Sequence, residues 1–192
     1  MPRNDPEGKK QSILRGAIFA YNKMGPGATA AQIAKEAGVA VGTPFRYFKT
    51  KEDLLYAAFV SVHEHAKECI NHEVAWEKSV PEVIEQLVTN ALFWAKDFPE
   101  EEEFTEKYID LRYYDFYNRE FGAFEAEVLG DRRIADRLGE YVRADCPIEV
   151  IHRAVSVQFT AYARYLISHS GEVDIAAFCK MASSMILNSI RA

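Results

Sequence analysis

The sequence predicts an all-α protein in which a small N-terminal helical head precedes a larger helical body. Apolar residues recur at helical spacing along the 192-residue chain, and no alternating run bounded by Asn-Gly or Asp-Gly turns indicates a strand. Glycine and proline breakers divide the chain into about nine helices. The hydrophobic fraction of 48% is sufficient to fill an ordinary core at this length.

Three helices are predicted in the head. The first runs from about Lys9 to Met24 and ends at Gly25-Pro26-Gly27. The second starts at Thr29, where Gln32 three residues later can complete a capping box, and it ends at Gly38. The third is short and covers about residues 41–48.

The body begins with a fourth helix, predicted from Thr50 through about His72, with Asp53 at the third helical position. Proline and glycine breakers separate five further helices, which are predicted near residues 81–97, 100–119, 121–143, 148–169 and 173–190.

Charge is spread unevenly along the chain, whose formal net charge is -6. Residues 1–53 hold nine Lys/Arg and five Asp/Glu, whereas the remainder is strongly acidic. A basic head fits contact with a polyanion, and the acidic body would repel nucleic acid elsewhere. The sequence shows neither a membrane-length apolar stretch nor a secretory signal, and its three widely spaced cysteines suit reduced thiols, so a cytoplasmic location is expected.

The segment from Thr29 to Phe48 has the form of a helix-turn-helix: a helix of small residues, a glycine turn and a second helix. At about 100° per residue, the inward face of the second helix is apolar and consists of Val41, Pro44 and Phe48. Its outward face is polar, basic and aromatic and consists of Gly42, Thr43, Arg46 and Tyr47. A helix that reads a DNA groove needs such an outward face.

The run AGVAVGTPFRYFKTKEDLL at residues 37–55 resembles the DNA-binding signature of the TetR family of repressors, and the resemblance covers roughly residues 10–55. It implies that the second helix of the motif enters the major groove. Carried over residue by residue, it places Thr43 and Arg46 at or near base edges. It implies phosphate contacts from Thr29, Tyr47 and Lys51, with electrostatic assistance from Lys49. The residue pattern itself offers Gly42 as a bare backbone position near a phosphate.

Two positions depart from the family pattern. Phe45 stands where the family usually has tyrosine, so this DNA-contact position keeps the packing of the ring but lacks a phosphate-binding hydroxyl. Ala40 stands where a serine or threonine cap is usual, which costs the recognition helix about 1 kcal/mol. These departures affect the affinity and the operator rather than the predicted function.

The predicted domains are a DNA-binding helix-turn-helix domain over residues 1–50, with residues 1–8 as a flexible arm, and a ligand-binding and dimerisation domain over 51–192. The last two long helices are apolar on two sides, which suits an intersubunit four-helix bundle. The protein is therefore expected to be a homodimer that binds double-stranded operator DNA and is released by a small molecule.

Aromatic residues are frequent between the fourth and eighth helices, and in the family this region borders the ligand cavity. A cavity for a flat or apolar molecule is predicted. Its expected lining residues are Phe93, Tyr108, Leu111, Arg112, Phe159 and Tyr162.

Three other classes of function compete with DNA binding. His65, Cys69 and His72 share one face of the fourth helix and predict, as an alternative, a metal-responsive regulator. A dimeric interaction protein that has lost DNA binding is a second alternative. No catalytic motif appears, so neither an enzyme nor a cofactor is predicted. The carboxylates at 100–103 are interpreted as a solvated helix start.

Overall fold

The computed structural model describes residues 6–108, 137, 141, 145–169 and 171–191. These residues form seven α-helices, two short 3-10 helices and no β-sheet, which confirms the all-α class. The helices are α1 (Pro6–Met24), α2 (Ala30–Glu36), α3 (Lys51–Ile70), α4 (Val80–Asp97), α5 (99–108), α6 (Ile148–Ser168) and α7 (Ile175–Ile190). Of the nine predicted helices, the one at 121–143 lies outside the described residues except for positions 137 and 141, and the second half of the one at 100–119 lies outside them entirely.

The contacts divide the chain into two compact units. The N-terminal unit contains α1, α2, the first part of α3 and α5, and the C-terminal unit contains the end of α3 with α4, α6 and α7. The predicted domains divide the chain by function, with a boundary between residues 50 and 51, and that boundary stays a prediction.

Helices α1 and α2 pack closely because Gly16 has no side chain. A Cβ built on Gly16 would lie 2.7 Å from the Ala37 Cβ and 2.8 Å from the Ile33 carbonyl oxygen. The inner faces of both helices are apolar, with Ile13 and Ile33 completely buried. At the edge of this contact Lys23 Nζ lies 2.7 Å from Glu36 Oε1. A single glycine therefore sets the distance between the first two helices.

Both predicted caps are present. Thr29 accepts the Gln32 N–H at its hydroxyl while the Gln32 side chain accepts the Thr29 N–H, and the same reciprocal pair joins Thr50 to Asp53 at distances of 3.0 and 3.1 Å. At the other end of α2, Gly38 adopts φ +66° and its N–H donates to Lys35, an ending that favours glycine.

Aromatic rings fill the core of the N-terminal unit. Phe59 of α3 stacks on Tyr108 of α5 at 4.9 Å, and Tyr21 of α1 meets Phe104 edge-on at 5.3 Å. Polar contacts fix the same helices, because Asn22 Nδ2 donates to the Glu100 carbonyl at 2.8 Å. The start of α5 is thus bound to the end of α1.

In the C-terminal unit, α4, α6 and α7 pack on one another. Their core is aliphatic and is built around Val80, Ile84, Ile151 and Ile190. Asn90 of α4 donates to the carbonyls of Ile70 and His72, both at 2.9 Å, and so holds the end of α3. None of the helices in the described part of the chain combines the length and hydrophobicity of a membrane-spanning segment.

Candidate nucleic-acid interface

The second helix of the motif is a short 3-10 helix, Pro44–Arg46, preceded by a turn. The expectation of a helix over 41–48 is therefore wrong in length and in type. Proline has no N–H for a bond to the preceding turn and is tolerated only at a helix start, which Pro44 forms here with Thr43 as N-cap. Ala40 supplies no capping side chain that could start the helix earlier.

This change in geometry alters which side chains face outward. Pro44 and Phe48 are buried, as predicted, but Val41 is 56% exposed, so its assignment to the inner face is wrong. A spacing of 100° per residue does not apply to a turn followed by a 3-10 helix, which has three residues per turn. We call the segment 41–49 the recognition turn; its exposed residues are Val41, Gly42, Phe45, Arg46 and Lys49.

The predicted base-edge residues lie at the centre of the recognition turn. Arg46 is exposed and ends the 3-10 helix, and its N–H donates to the Thr43 carbonyl at 3.0 Å. Thr43 is half-buried, as is Tyr47, whose ring lies 6.5 Å from the ring of Phe48. The polar, basic character expected of the outward face is thus retained, although Tyr47 is partly packed against its neighbour.

Lys51 is the first residue of α3, and its Nζ donates to the Pro26 carbonyl at 2.9 Å. This bond joins the start of α3 to the turn between α1 and α2. The ammonium uses one of its three N–H donors in this bond. Thr29, at the start of α2, is exposed, but its hydroxyl donates to Gln32 Oε1 at 2.9 Å. A phosphate contact from this hydroxyl would replace the bond to Gln32.

A surface cleft brings the recognition turn together with the starts of α2 and α3. Its lining includes Ala30 from α2, Phe45 from the recognition turn, and Thr50 and Lys51 at the start of α3. The Phe45 ring is 50% exposed at this cleft and carries no hydroxyl for a phosphate. Side chains that are separate in the sequence therefore meet on one surface. Arg46 and Lys49, which are adjacent in sequence to the lining residues Phe45 and Thr50, are both exposed.

The predicted ligand residues are divided among several places. Tyr108 is buried in the aromatic core of the N-terminal unit. Phe93 is 42% exposed in the C-terminal unit, where Phe159 is half-buried and the Tyr162 hydroxyl lies 3.4 Å from Met185 Sδ. Leu111 and Arg112 lie outside the described residues. The ligand site stays a prediction.

The metal site proposed as an alternative is not formed. No three His, Cys, Asp or Glu side chains come together as a possible metal site in the ranges that the structure describes. His65 Nδ1 instead lies 2.7 Å from Glu101 Oε2, and Glu102 is buried. The interpretation of residues 100–103 as a solvated run is therefore wrong for these two carboxylates, because α5 packs within the N-terminal unit.

Sequence reasoning missed two residues that shape this surface. Gly16 sets the approach of α2 to α1, and a glycine inside an apolar helical pattern was the available signal. Val41 is exposed, and the signal was the pair Gly42 and Pro44, which should have excluded a regular helix through that position.

Known proteins resemble this chain in its N-terminal sequence and in its fold. Residues 13–58 match the family model of bacterial regulatory proteins, tetR family. A protein from Shewanella sp. PV-4 that is assigned to the tetR family of transcription regulators is 27% identical, with a TM-score of 0.78 over 96% of this chain and 98% of that chain. A TetR family transcription regulator from Marinobacter aquaeolei VT8 is 17% identical, with a TM-score of 0.75 over 96% of each chain. A TetR-family transcriptional regulator from Haemophilus influenzae RD is 16% identical, with a TM-score of 0.67 over 96% of this chain and 99% of that chain.

Proposed function

We propose that this chain is a member of the TetR family of bacterial transcription regulators and a repressor that a small molecule releases from its operator. Regulators of this family are generally DNA-binding proteins rather than enzymes. The observation that carries the proposal is the shared surface of the recognition turn and the starts of α2 and α3. DNA in bacteria lies in the cytoplasm, which is where the proposal places the protein.

The roles on this surface follow from chemistry and exposure. Arg46 presents an exposed guanidinium, which suits the O6 and N7 acceptors of guanine in the major groove. Thr43, beside it, can contribute a hydroxyl to a neighbouring base. Lys49 and Lys51 supply positive charge for phosphates, and Gly42 allows the backbone to approach them closely. Tyr47 and Thr29 complete the proposed phosphate contacts.

The proposed homodimer uses α6 and α7. Along α6 the exposed residues Val150, Val157 and Tyr165 recur at helical spacing, and they are 55%, 54% and 48% exposed. Met181 and Met185 are exposed on α7. Such apolar side chains in water favour association with a matching surface, and a two-fold interface presents the same patch from each copy.

Release of the operator would act through α3. This helix begins at Lys51, on the proposed DNA surface, and continues to Ile70 in the C-terminal unit. Two DNA-reading heads must lie about 34–36 Å apart to enter successive major grooves, so a ligand that tilts α3 would spoil that spacing. A coupling of about 1–3 kcal/mol would loosen the operator about 5- to 150-fold.

Selection of binding sites from randomised DNA duplexes by the full-length protein tests the proposal. We expect enrichment of a two-fold symmetric sequence, and we expect Arg46→Ala to relax the preference at one base pair of each half-site by about 1–3 kcal/mol. The control is Lys96→Ala, which removes the same charge from the C-terminal unit, where Lys96 pairs with Asp97. This variant should keep the wild-type base preference. Failure to enrich any sequence would contradict DNA recognition and favour a dimeric interaction protein.

A further inference from the structure

Val41 projects from the tip of a tight turn. The Thr43 N–H donates to the Ala40 carbonyl at 2.8 Å, so Val41 and Gly42 are the two central residues of that turn. Val41 is 56% exposed, and apart from the adjacent residues nothing lies within 4 Å of a Cβ built on Gly42. The tip is therefore open to an approaching partner.

The isopropyl group of Val41 is exposed and does not pack in the core. The inward contacts of the segment are made by Pro44 and Phe48, which are both buried. Val41 is instead exposed on the same short segment as Arg46 and Lys49, whose charges fit a polyanion. On the proposed function, the recognition turn enters the major groove.

An isopropyl group can neither donate nor accept a hydrogen bond, so it cannot bond to the polar edges of the bases. The base edges of the major groove carry one apolar group, the C5-methyl of thymine. We infer that Val41 is a specificity-determining residue that selects thymine through contact with this methyl group. The inference rests on the proposed function and extends it to one base of the operator.

Spacing along the recognition turn limits where this thymine lies. Val41 and Arg46 are five residues apart along a turn followed by a 3-10 helix, and a continuous 3-10 helix of that length would rise only about 10 Å. Successive bases on a strand are about 3.4 Å apart along the axis. The thymine should therefore lie within about three base pairs of the base that Arg46 reads.

Replacement of thymine by deoxyuridine tests the inference, because it removes the methyl group alone. The probe is the duplex obtained by the selection described above, with each thymine replaced in turn in both half-sites. We expect one position to weaken binding of the wild-type protein about fourfold per half-site, which is the loss expected for one buried methyl-sized group. Val41→Ala should bind the unmodified duplex more weakly and show no further loss with deoxyuridine at that position.

Two further variants separate Val41 from its neighbour. Thr43→Ser removes a methyl group but keeps the hydroxyl, and it should retain the deoxyuridine effect. Val41→Thr keeps one methyl group at the tip and should retain part of it. Three outcomes would overturn the inference while leaving DNA binding intact. The deoxyuridine effect could be undiminished in Val41→Ala, it could be lost in Thr43→Ser, or it could be absent at every thymine for the wild type. Failure to select any duplex would instead overturn the proposed function, and this inference with it.

Discussion

The recognition turn and the outer face of α6 both expose apolar side chains, but their surroundings differ. In the recognition turn, Val41 and Phe45 share a nine-residue segment with the exposed cations Arg46 and Lys49. Along α6, Val150 and Val157 belong to a stripe composed mainly of apolar residues. Apolar groups among cations suit a charged, hydrated partner such as DNA, whereas a continuous apolar stripe suits a second protein surface. The neighbours of an exposed apolar residue thus indicate the kind of partner it meets.

Introducing charge into the α6 stripe should have the largest effect, because it should disrupt the proposed dimer. Val157→Arg would place an unpaired cation in the proposed dimer interface, where burial of charge is unfavourable. We expect a monomer by analytical ultracentrifugation and a loss of operator affinity of about 100-fold or more, because two linked half-site contacts become one.

The matched control is Ser156→Arg, which introduces the same charge at an exposed residue on another side of α6. This variant should remain dimeric and bind the operator normally. A dimeric Val157→Arg protein would refute the assignment of the α6 stripe to the interface.

The aromatic core of the N-terminal unit should make stability depend on pH. Burial lowers the pKa of His63, whose ring lies 4.1 Å from that of Phe59, to about 4 from the usual 6.5. The unfolded chain therefore binds a proton that the folded chain does not, so stability should fall as the pH decreases from about 6.5 to 4. The expected loss is on the order of 2–3 kcal/mol.

Urea unfolding across this pH range should show a smaller loss for His63→Gln than for the wild type. His72→Gln changes an exposed histidine and provides the control. Parallel curves for the wild type and His63→Gln would show that His63 does not couple protonation to folding.

Filling the contact between α1 and α2 should destabilise the N-terminal unit. Gly16→Ala would place a Cβ 2.7 Å from that of Ala37, and overpacking of this kind costs about 1–3 kcal/mol. Gly27→Ala adds the same methyl group in open space and is the control. Urea unfolding should show a lower midpoint for Gly16→Ala alone, and equal midpoints would disprove the close approach.

The smallest effect concerns a single phosphate contact. Lys51→Ala should weaken binding to all sequences alike and reduce the slope of log affinity against log salt by about one unit. Gel shifts at several salt concentrations measure this slope, with Lys96→Ala as the control in the C-terminal unit. An unchanged slope would assign Lys51 to the bond with Pro26 rather than to DNA.

Local rules predicted the caps at Thr29 and Thr50 because both partners of each cap lie within three residues. They failed at Val41 because Pro44 changes the helix type, and helical periodicity alone does not include that effect. Sequence spacing could not predict that Glu101 meets His65, since the two residues are brought together only when α5 packs against α3. The DNA contacts and the ligand cavity stay predictions.

The bond between Lys51 and the Pro26 carbonyl lowers the entropy that the side chain would lose on binding a partner. A free lysine side chain loses roughly 1.5–2 kcal/mol of rotamer entropy when it becomes fixed. Because Lys51 is already held by a backbone carbonyl at 2.9 Å, part of that loss has occurred before any partner arrives. The ammonium of Lys51 is therefore already positioned, and binding a phosphate there requires little further ordering of the side chain.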